Sequence, residues 1–179
     1  MQSPIWVFGY GSLMWNPEFP VAERQIARLD GFHRSFCMRS IHHRGTDADP
    51  GLVLALDRQE DAVCDGVAFL MDEAGQDQSL AALRERELIS AAYLETTQEL
   101  TLRDGRRVRA LTYVIDPDHV QYCGGLPLEE QARIIARAHG QRGPNTEYLF
   151  NTASHLDELA LSDPDLDWLT GRVRELNGG

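Results

Sequence analysis

A chain of 179 residues, 42% of them apolar and 25% charged, can bury roughly two-thirds of the surface its unfolded form exposes, so it needs no disulfide or structural metal to fold. A formal net charge of −11 argues against a nucleic-acid partner, which calls for a basic patch. No apolar run approaches the roughly 20 residues of a membrane span, and Met1-Gln2-Ser3-Pro4-Ile5-Trp6 lacks the basic region and long apolar stretch of a signal peptide. Cys37, Cys64 and Cys123 are widely spaced and form no CxxC pair. The expectation is a single domain over residues 1–179, in a reducing cytoplasm, with its thiols buried or inert.

In chain order, Ile5-Trp6-Val7-Phe8 predicts a short buried strand ended by a glycine cluster. Asp30-Gly31 lies between two strand-like runs, residues 25–29 and 32–36, and predicts a hairpin, because Asp-Gly accepts the positive φ of a tight turn. Residues 52–56 and 66–70 predict further strands, and a helix is expected near Ser79 to Ala92. Asp104-Gly105 predicts a second hairpin between residues 97–102 and 108–115.

The last third reads as helical. Pro127 precedes a face of Leu128, Ala132, Ile135 and His139. Asn145 is expected to cap a helix that buries Leu149, Ala153, Leu156 and Leu159. Asp163-Pro164 opens another, with Leu166, Leu169, Val173 and Leu176 inward. About seven strands and about four helices, not strictly alternating, predict an α+β fold. A sheet of that kind avoids open edges by forming a small closed or nearly closed β-barrel with flanking α-helices.

Two stretches carry candidate chemistry. The loop Gly9-Tyr10-Gly11-Ser12-Leu13-Met14-Trp15-Asn16 follows a strand, and its glycines let backbone amides approach a carboxylate or an oxyanion. A ligand-free glycine turn is the alternative. A dinucleotide site is excluded, because Met14 replaces the third glycine and Trp15-Asn16-Pro17 breaks a helix instead of starting one. In the predicted helix, Glu87 falls on the side of Leu80, Leu83 and Ala91, whereas Glu85 points away. A carboxyl among apolar neighbours has a raised pKa and suits proton transfer near neutral pH. The competing reading is an ion pair between Glu87 and Arg84.

Elsewhere, adjacent His42 and His43 point to opposite faces of a strand and do not share a metal. Arg44 suits either a substrate carboxylate or a solvated loop, and Tyr148 either a ligand or the core. Ser12 lacks the GxSxG setting of a nucleophile.

Together these pieces resemble the ChaC family of γ-glutamylcyclotransferases. The resemblance rests on Trp6 through Trp15; on Arg34-Ser35-Phe36 with Ser40 through Thr46 and Pro50 through Val53; on Arg86-Glu87 with Tyr93 six residues on; and on Tyr122, Gly125, Pro127-Leu128 and Gly143 through Leu149. Ala91-Ala92 stands where many members carry glycines. The resemblance implies a small barrel with flanking helices and Glu87 as the proton shuttle. It implies that the γ-glutamyl group lies against Tyr10, Gly11, Ser12 and Leu13, with Arg44, Tyr93 and Tyr148 as further substrate-binding residues. It also implies a small-molecule substrate, glutathione, cleaved to 5-oxoproline and cysteinylglycine without metal or cofactor. Other γ-glutamyl amino acids or amines as substrates, and a non-enzymatic barrel that holds a small acid, are the rival expectations. Oligomeric state does not follow from the sequence.

Overall fold

The first apolar run forms strand β1 (Trp6–Gly9), with all four residues buried, in a computed structural model that describes residues 4–88 and 91–178. Met1, Gln2 and Ser3 of the expected leaderless start, and Ile89 and Ser90 of the expected helix, lie outside the described residues. The chain divides into two units, Met1–Arg34 with Leu56–His119, and Ser35–Ala55 with Val120–Gly179.

In the first unit, β1 joins β2 (Val21–Ser40), β3 (Gly51–Met71), β4 (Tyr93–Leu102) and β5 (Arg107–Ile115) in a closed barrel of order β1-β3-β2-β4-β5. The far ends of β2 and β3 belong to the second unit. β1 runs antiparallel to β3, from Trp6↔Leu70 to Gly9↔Val67, and parallel to β5 at Trp6↔Ala110 and Val7↔Leu111. All five strands feed one buried cluster that includes Trp6, Phe8, Leu29, Phe32, Leu56, Leu100, Leu102 and Val114. In a closed barrel alternate residues point inward, and this cluster is the interior.

The hairpin at Asp104-Gly105 forms as expected. β4 pairs with β5 from Tyr93↔Ile115 to Thr101↔Arg107, and Gly105 takes a φ of +94° at the tip. The hairpin expected at Asp30-Gly31 does not form, because β2 runs straight through both residues. Ala27 and Leu29 are buried before the pair, whereas Phe32, Arg34 and Phe36 are buried after it, so the inward frame slips by one residue. Gly31 has φ +84° at the slip. That is a β-bulge, which uses the same glycine conformation as a turn but keeps the strand going. The neighbours decide between them: Ala27 and Arg28 pair with Leu102 and Thr101 of β4. Residues 52–56 and 66–70 likewise belong to one strand, β3, which passes the exposed Asp61 at φ +67°. The seven strand-like runs therefore make five barrel strands, and a separate two-stranded sheet, residues 139–140 with 143–144, brings the described strands to the seven or so expected.

Between β3 and β4 lies α1 (Gln76–Leu88), whose buried residues are Gln76, Ser79 and Leu83. Its helical turns end before Ala91, which is exposed and not on the face expected for it.

The second unit is built on α2 (Leu128–Arg137), α3 (Asn145–Glu158) and α4 (Pro164–Leu176), which pack on one another. Each turns a stripe inward at helical spacing, as in Leu149, Thr152 and Leu156 or Leu166, Leu169 and Val173. α4 opens at Asp163-Pro164 as expected, and the Asp163 carboxylate caps it by accepting the Leu166 N–H at 3.1 Å. Glu129 of α2 takes a forked pair of hydrogen bonds from Arg172 of α4, at 2.7 and 3.0 Å. His139 lies beyond the end of α2 in a two-residue strand and is exposed, so it is not part of the apolar face expected for it.

Asn145 is not a cap either. It is the first residue of α3, and its side chain turns to β3, where Oδ1 accepts the Leu52 N–H and Nδ2 donates to the Leu52 carbonyl, both at 2.8 Å. The amide is fully buried, and Gly51 is what lets β3 approach it. Cys37, Cys64 and Cys123 are buried, as expected, and none forms a disulfide among the described residues; burial pushes the Cys123 thiol up. Among the described residues no helix is long and apolar enough to cross a membrane.

Replacing Asn145 with Ala would leave a buried N–H and a buried carbonyl on Leu52 without partners. At about 1–3 kcal/mol for each, Asn145→Ala is expected to lower stability by about 3 kcal/mol and the Tm by roughly 10 °C. A thermal melt within 2 °C of wild type would show that the clamp contributes little.

Candidate active site

The loop after β1 turns at once. Residues Ser12–Met14 form a single 3-10 turn, closed by the Met14 N–H on the Gly11 carbonyl at 2.9 Å and the Asn16 N–H on the Ser12 carbonyl at 2.9 Å. The leading amides of such a turn have no acceptor within it. No hydrogen-bond acceptor for the amides of Gly11, Ser12 and Leu13 lies among the described residues. Space is open where a Cβ on Gly11 would stand. Tyr10 and Leu13 are buried, and Ser12 is exposed.

Two arginines hold this loop. Arg34, buried on β2, donates from Nε to the Tyr10 carbonyl at 2.6 Å and from Nη2 to the Asp65 carbonyl at 2.5 Å. Arg86, near the end of α1, donates from Nη2 to Ser12 Oγ at 3.0 Å and from Nη1 to the Asn16 carbonyl at 2.7 Å. Sequence reasoning missed both as site residues. The bulge at Gly31 was the available signal for Arg34, since the shifted frame puts its guanidinium on the buried side of β2. Arg86 stood in the Arg86-Glu87 pair that carries the family resemblance, but nothing local pointed to its partners, which lie about 70 residues earlier in the chain.

Glu87 stands beside Arg86, with its Oε1 3.6 Å from Arg86 Nε and its side chain 16% exposed. Leu83, one turn earlier, is buried and Leu80 is half-buried. Burial pushes the Glu87 carboxyl above the usual carboxylate range; the Arg86 charge opposes that shift and the Glu18 charge adds to it. Among the described residues nothing donates a hydrogen bond to this carboxyl. Glu85 is exposed, as expected from its side of the helix.

The ion pair weighed against this reading, Glu87 with Arg84, is absent because Arg84 is engaged elsewhere. Its Nε and Nη2 fork onto both oxygens of Glu95 at 2.9 and 3.0 Å, and Glu95 also accepts the Tyr113 hydroxyl at 2.8 Å. The Arg84 hydrogen bonds hold Glu95 below the usual carboxylate range. Burial, then the bond to Glu95, pushes the Tyr113 phenol up, and the charge on Glu87 adds to that. Tyr93 opens β4 opposite Ile115 and is half-buried.

The remaining two candidates lie in the second unit. The Arg44 guanidinium donates to the Pro144 carbonyl at 3.1 Å, lies 3.9 Å from Glu147 and sits 5.8 Å from the centre of the Tyr148 ring. The Tyr148 oxygen accepts the Leu54 N–H at 3.1 Å, and its ring meets Phe36 edge-on at 5.9 Å. The structure thus groups Ser12 with Glu87 through Arg86 in the first unit, and Arg44 with Tyr148 in the second. His42 and His43 are exposed in a bend. Among the described residues no group of three or more His, Cys, Asp or Glu side chains is placed to hold a metal ion.

Known proteins share this arrangement of elements. The sequence model of the family described as ChaC-like protein matches residues 5–176. A glutathione-specific γ-glutamylcyclotransferase of Escherichia coli (strain K12) is 40% identical over 175 residues, which are 98% of this chain and 75% of that protein. Glutathione-specific γ-glutamylcyclotransferase 1 of Danio rerio is 35% identical over 168 residues, covering 93% of this chain and 84% of its own. Among solved structures, the crystal structure of a yeast γ-glutamyl cyclotransferase specific to glutathione superposes with a TM-score of 0.86 at 25% identity, over 99% of this chain and 98% of that one. With a family match spanning almost every residue and relatives this similar, the chain belongs to the ChaC-like protein family.

Proposed function

We propose that the protein is a glutathione-specific γ-glutamylcyclotransferase in which Glu87 carries the proton. The observation behind this reading is the Glu87 carboxyl itself. It is largely buried, raised by that burial, free of hydrogen-bond donors among the described residues, and tied through Arg86 to the loop that starts at Tyr10. The names of the relatives supply the substrate class.

Glutathione brings its own nucleophile. Its α-amino group attacks the γ-carbonyl carbon and closes a five-membered lactam, so the enzyme's first task is to hold the γ-glutamyl chain folded back on itself. The α-ammonium first gives one proton to solvent and becomes the free amine; Glu87, as carboxylate, takes a second proton from that nitrogen as the new C–N bond forms. The amides of Gly11, Ser12 and Leu13 face the oxyanion, where a well-placed donor is worth about 3–4 kcal/mol. The bond to the cysteine nitrogen then breaks, and Glu87 returns its proton to that leaving amine. The products are 5-oxoproline and cysteinylglycine. A raised pKa serves both halves, since the carboxylate is more basic and its conjugate acid lies nearer neutrality. Tyr10 and Tyr93 in the first unit, and Arg44 and Tyr148 in the second, are the further substrate contacts this reading assigns. The same reading has the whole chain work as one domain in the cytoplasm, without metal or cofactor.

Purified protein is expected to release 5-oxoproline and cysteinylglycine from glutathione, at a rate unchanged by a chelator. Activity lost in chelator and restored by one metal would overturn the cofactor part of the proposal. Glutathione acylated on its α-amine keeps the scissile bond but loses the nucleophile. It is expected to yield no cysteinylglycine; release at a normal rate would mean hydrolysis by water and would sink the cyclotransferase reading.

Glu87→Gln is expected to lower turnover at least a hundredfold, while Glu85→Gln stays near wild type. A folded carboxyl with a raised pKa adds stability when protonated, and that contribution is lost as pH rises through the raised pKa. Glu87→Gln is therefore expected to melt above wild type at pH 7.5, with the difference vanishing below about pH 4. Thermal melts at both pH values, run beside a 5-oxoproline assay, check this. A well-folded Glu87→Gln enzyme with near-normal turnover removes Glu87 from the mechanism.

A further inference from the structure

Arg86 makes more contacts than an ion pair with its neighbour requires. One nitrogen, Nη1, reaches the Asn16 carbonyl at 2.7 Å and Glu18 Oε2 at 3.2 Å; the other, Nη2, reaches Ser12 Oγ at 3.0 Å. Ser12 and Asn16 are the two ends of the turn that follows Gly11, already joined by the Asn16 N–H on the Ser12 carbonyl. A single planar guanidinium therefore grips both ends of that turn from α1. Its Nε edge stays 3.6 Å from Glu87 Oε1, too long for a hydrogen bond. The carboxyl is steadied by a nearby charge without having its oxygens occupied. The Arg86 side chain is 24% exposed, less than the Arg84 side chain at 47%.

We infer that Arg86 is a positioning residue for the proposed reaction: it clamps the helix end that carries Glu87 to the loop Tyr10–Leu13, and so fixes where the carboxyl stands against a substrate held on that loop. The inference rests on the function proposed above. It also gives Arg86 a second effect, through charge. The charged and titratable groups that act on Glu87 are Arg86 on its own helix, Glu18 from the segment after the turn, and Tyr113 from β5, with Glu95 and Arg84 bonded behind Tyr113. Among these, Arg86 favours the carboxylate and Glu18 opposes it.

Turnover of glutathione measured across pH, together with thermal melts, separates the clamp from the charge. A wild-type protein that releases no 5-oxoproline ends the proposed function, and this inference with it. Given turnover, Arg86→Gln is expected to lower kcat at least tenfold and to move the acid limb of the kcat/KM profile to higher pH, because the charge that favours the carboxylate is gone. Arg86→Lys keeps the charge, but one ammonium cannot reproduce the fork that spans Ser12 and Asn16. It is expected to return the acid limb to the wild-type position while kcat stays at least fivefold down. An acid limb unmoved in Arg86→Gln indicates a merely structural contact and overturns the inference, as does wild-type kcat in either variant. If Arg86→Gln fails to fold, Arg86→Lys decides alone: low kcat on a wild-type acid limb upholds the clamp, and wild-type kcat overturns it.

Discussion

β1 is the shortest strand of the barrel, yet it is paired on both edges, antiparallel to β3 and parallel to β5. That double pairing closes the sheet, leaves no edge open, and buries Val7 and Phe8 on opposite sides of the same four-residue strand. The point where the chain leaves β1 is fixed as firmly as the barrel itself. Gly9 sits at that exit, where a Cβ would come within 3.0 Å of Leu13 Cβ and 3.2 Å of the Met14 nitrogen. The turn of residues 12–14 therefore folds back directly onto the end of the strand. A loop borne on a closed barrel in this way loses little further entropy when a ligand arrives, which is what preorganised amides require.

The electrostatics around Glu87 follow from where the neighbouring cations are used. Arg84 is committed to Glu95, which also accepts from Tyr113. Arg86 is committed to Ser12, Asn16 and Glu18. Two guanidiniums thus lie within one turn of the carboxyl, and neither hydrogen-bonds it, so burial wins and the carboxyl is raised. A forked arginine on Glu87 would have lowered its pKa and left it a weak base. The division of partners is what makes this helix end suited to proton transfer.

The second unit shows a different use of polar groups. Asn145 spends its whole amide on the two backbone groups of Leu52, and the Tyr148 oxygen accepts from Leu54 two residues on. α3 is thus pinned to β3 through side chains that satisfy strand groups, at positions where an apolar side chain would leave them unpaired. Arg44 lies against the same helix start, on the Pro144 carbonyl and near the Tyr148 ring.

Local pattern determined a good part of this. The buried first strand, the Asp104-Gly105 hairpin, the inward stripes of α3 and α4, the opening of α4 at Asp163-Pro164, the barrel class and the separate settings of Glu85 and Glu87 all follow from short-range rules of period, turn chemistry and capping. The same rules mistook the bulge at Gly31 for a turn, made Asn145 a helix cap, and carried the face of α1 on to Ala91 and that of α2 on to His139. Two of these misses share one cause. Asp-Gly and an Asn at a helix start each have two conformations or partners of similar local energy, and a neighbour distant in sequence chooses between them. β4 keeps β2 extended and Leu52 claims the Asn145 amide, while α1 is bounded at Leu88, short of Ala91. The loop that grips Arg86 and the acid that claims Arg84 are tertiary choices of the same kind. The sequence by itself determined which carboxyl lies on the buried side of its helix; only the tertiary structure decided which arginine stands beside it without bonding it, because that depends on partners 11 to 74 residues away.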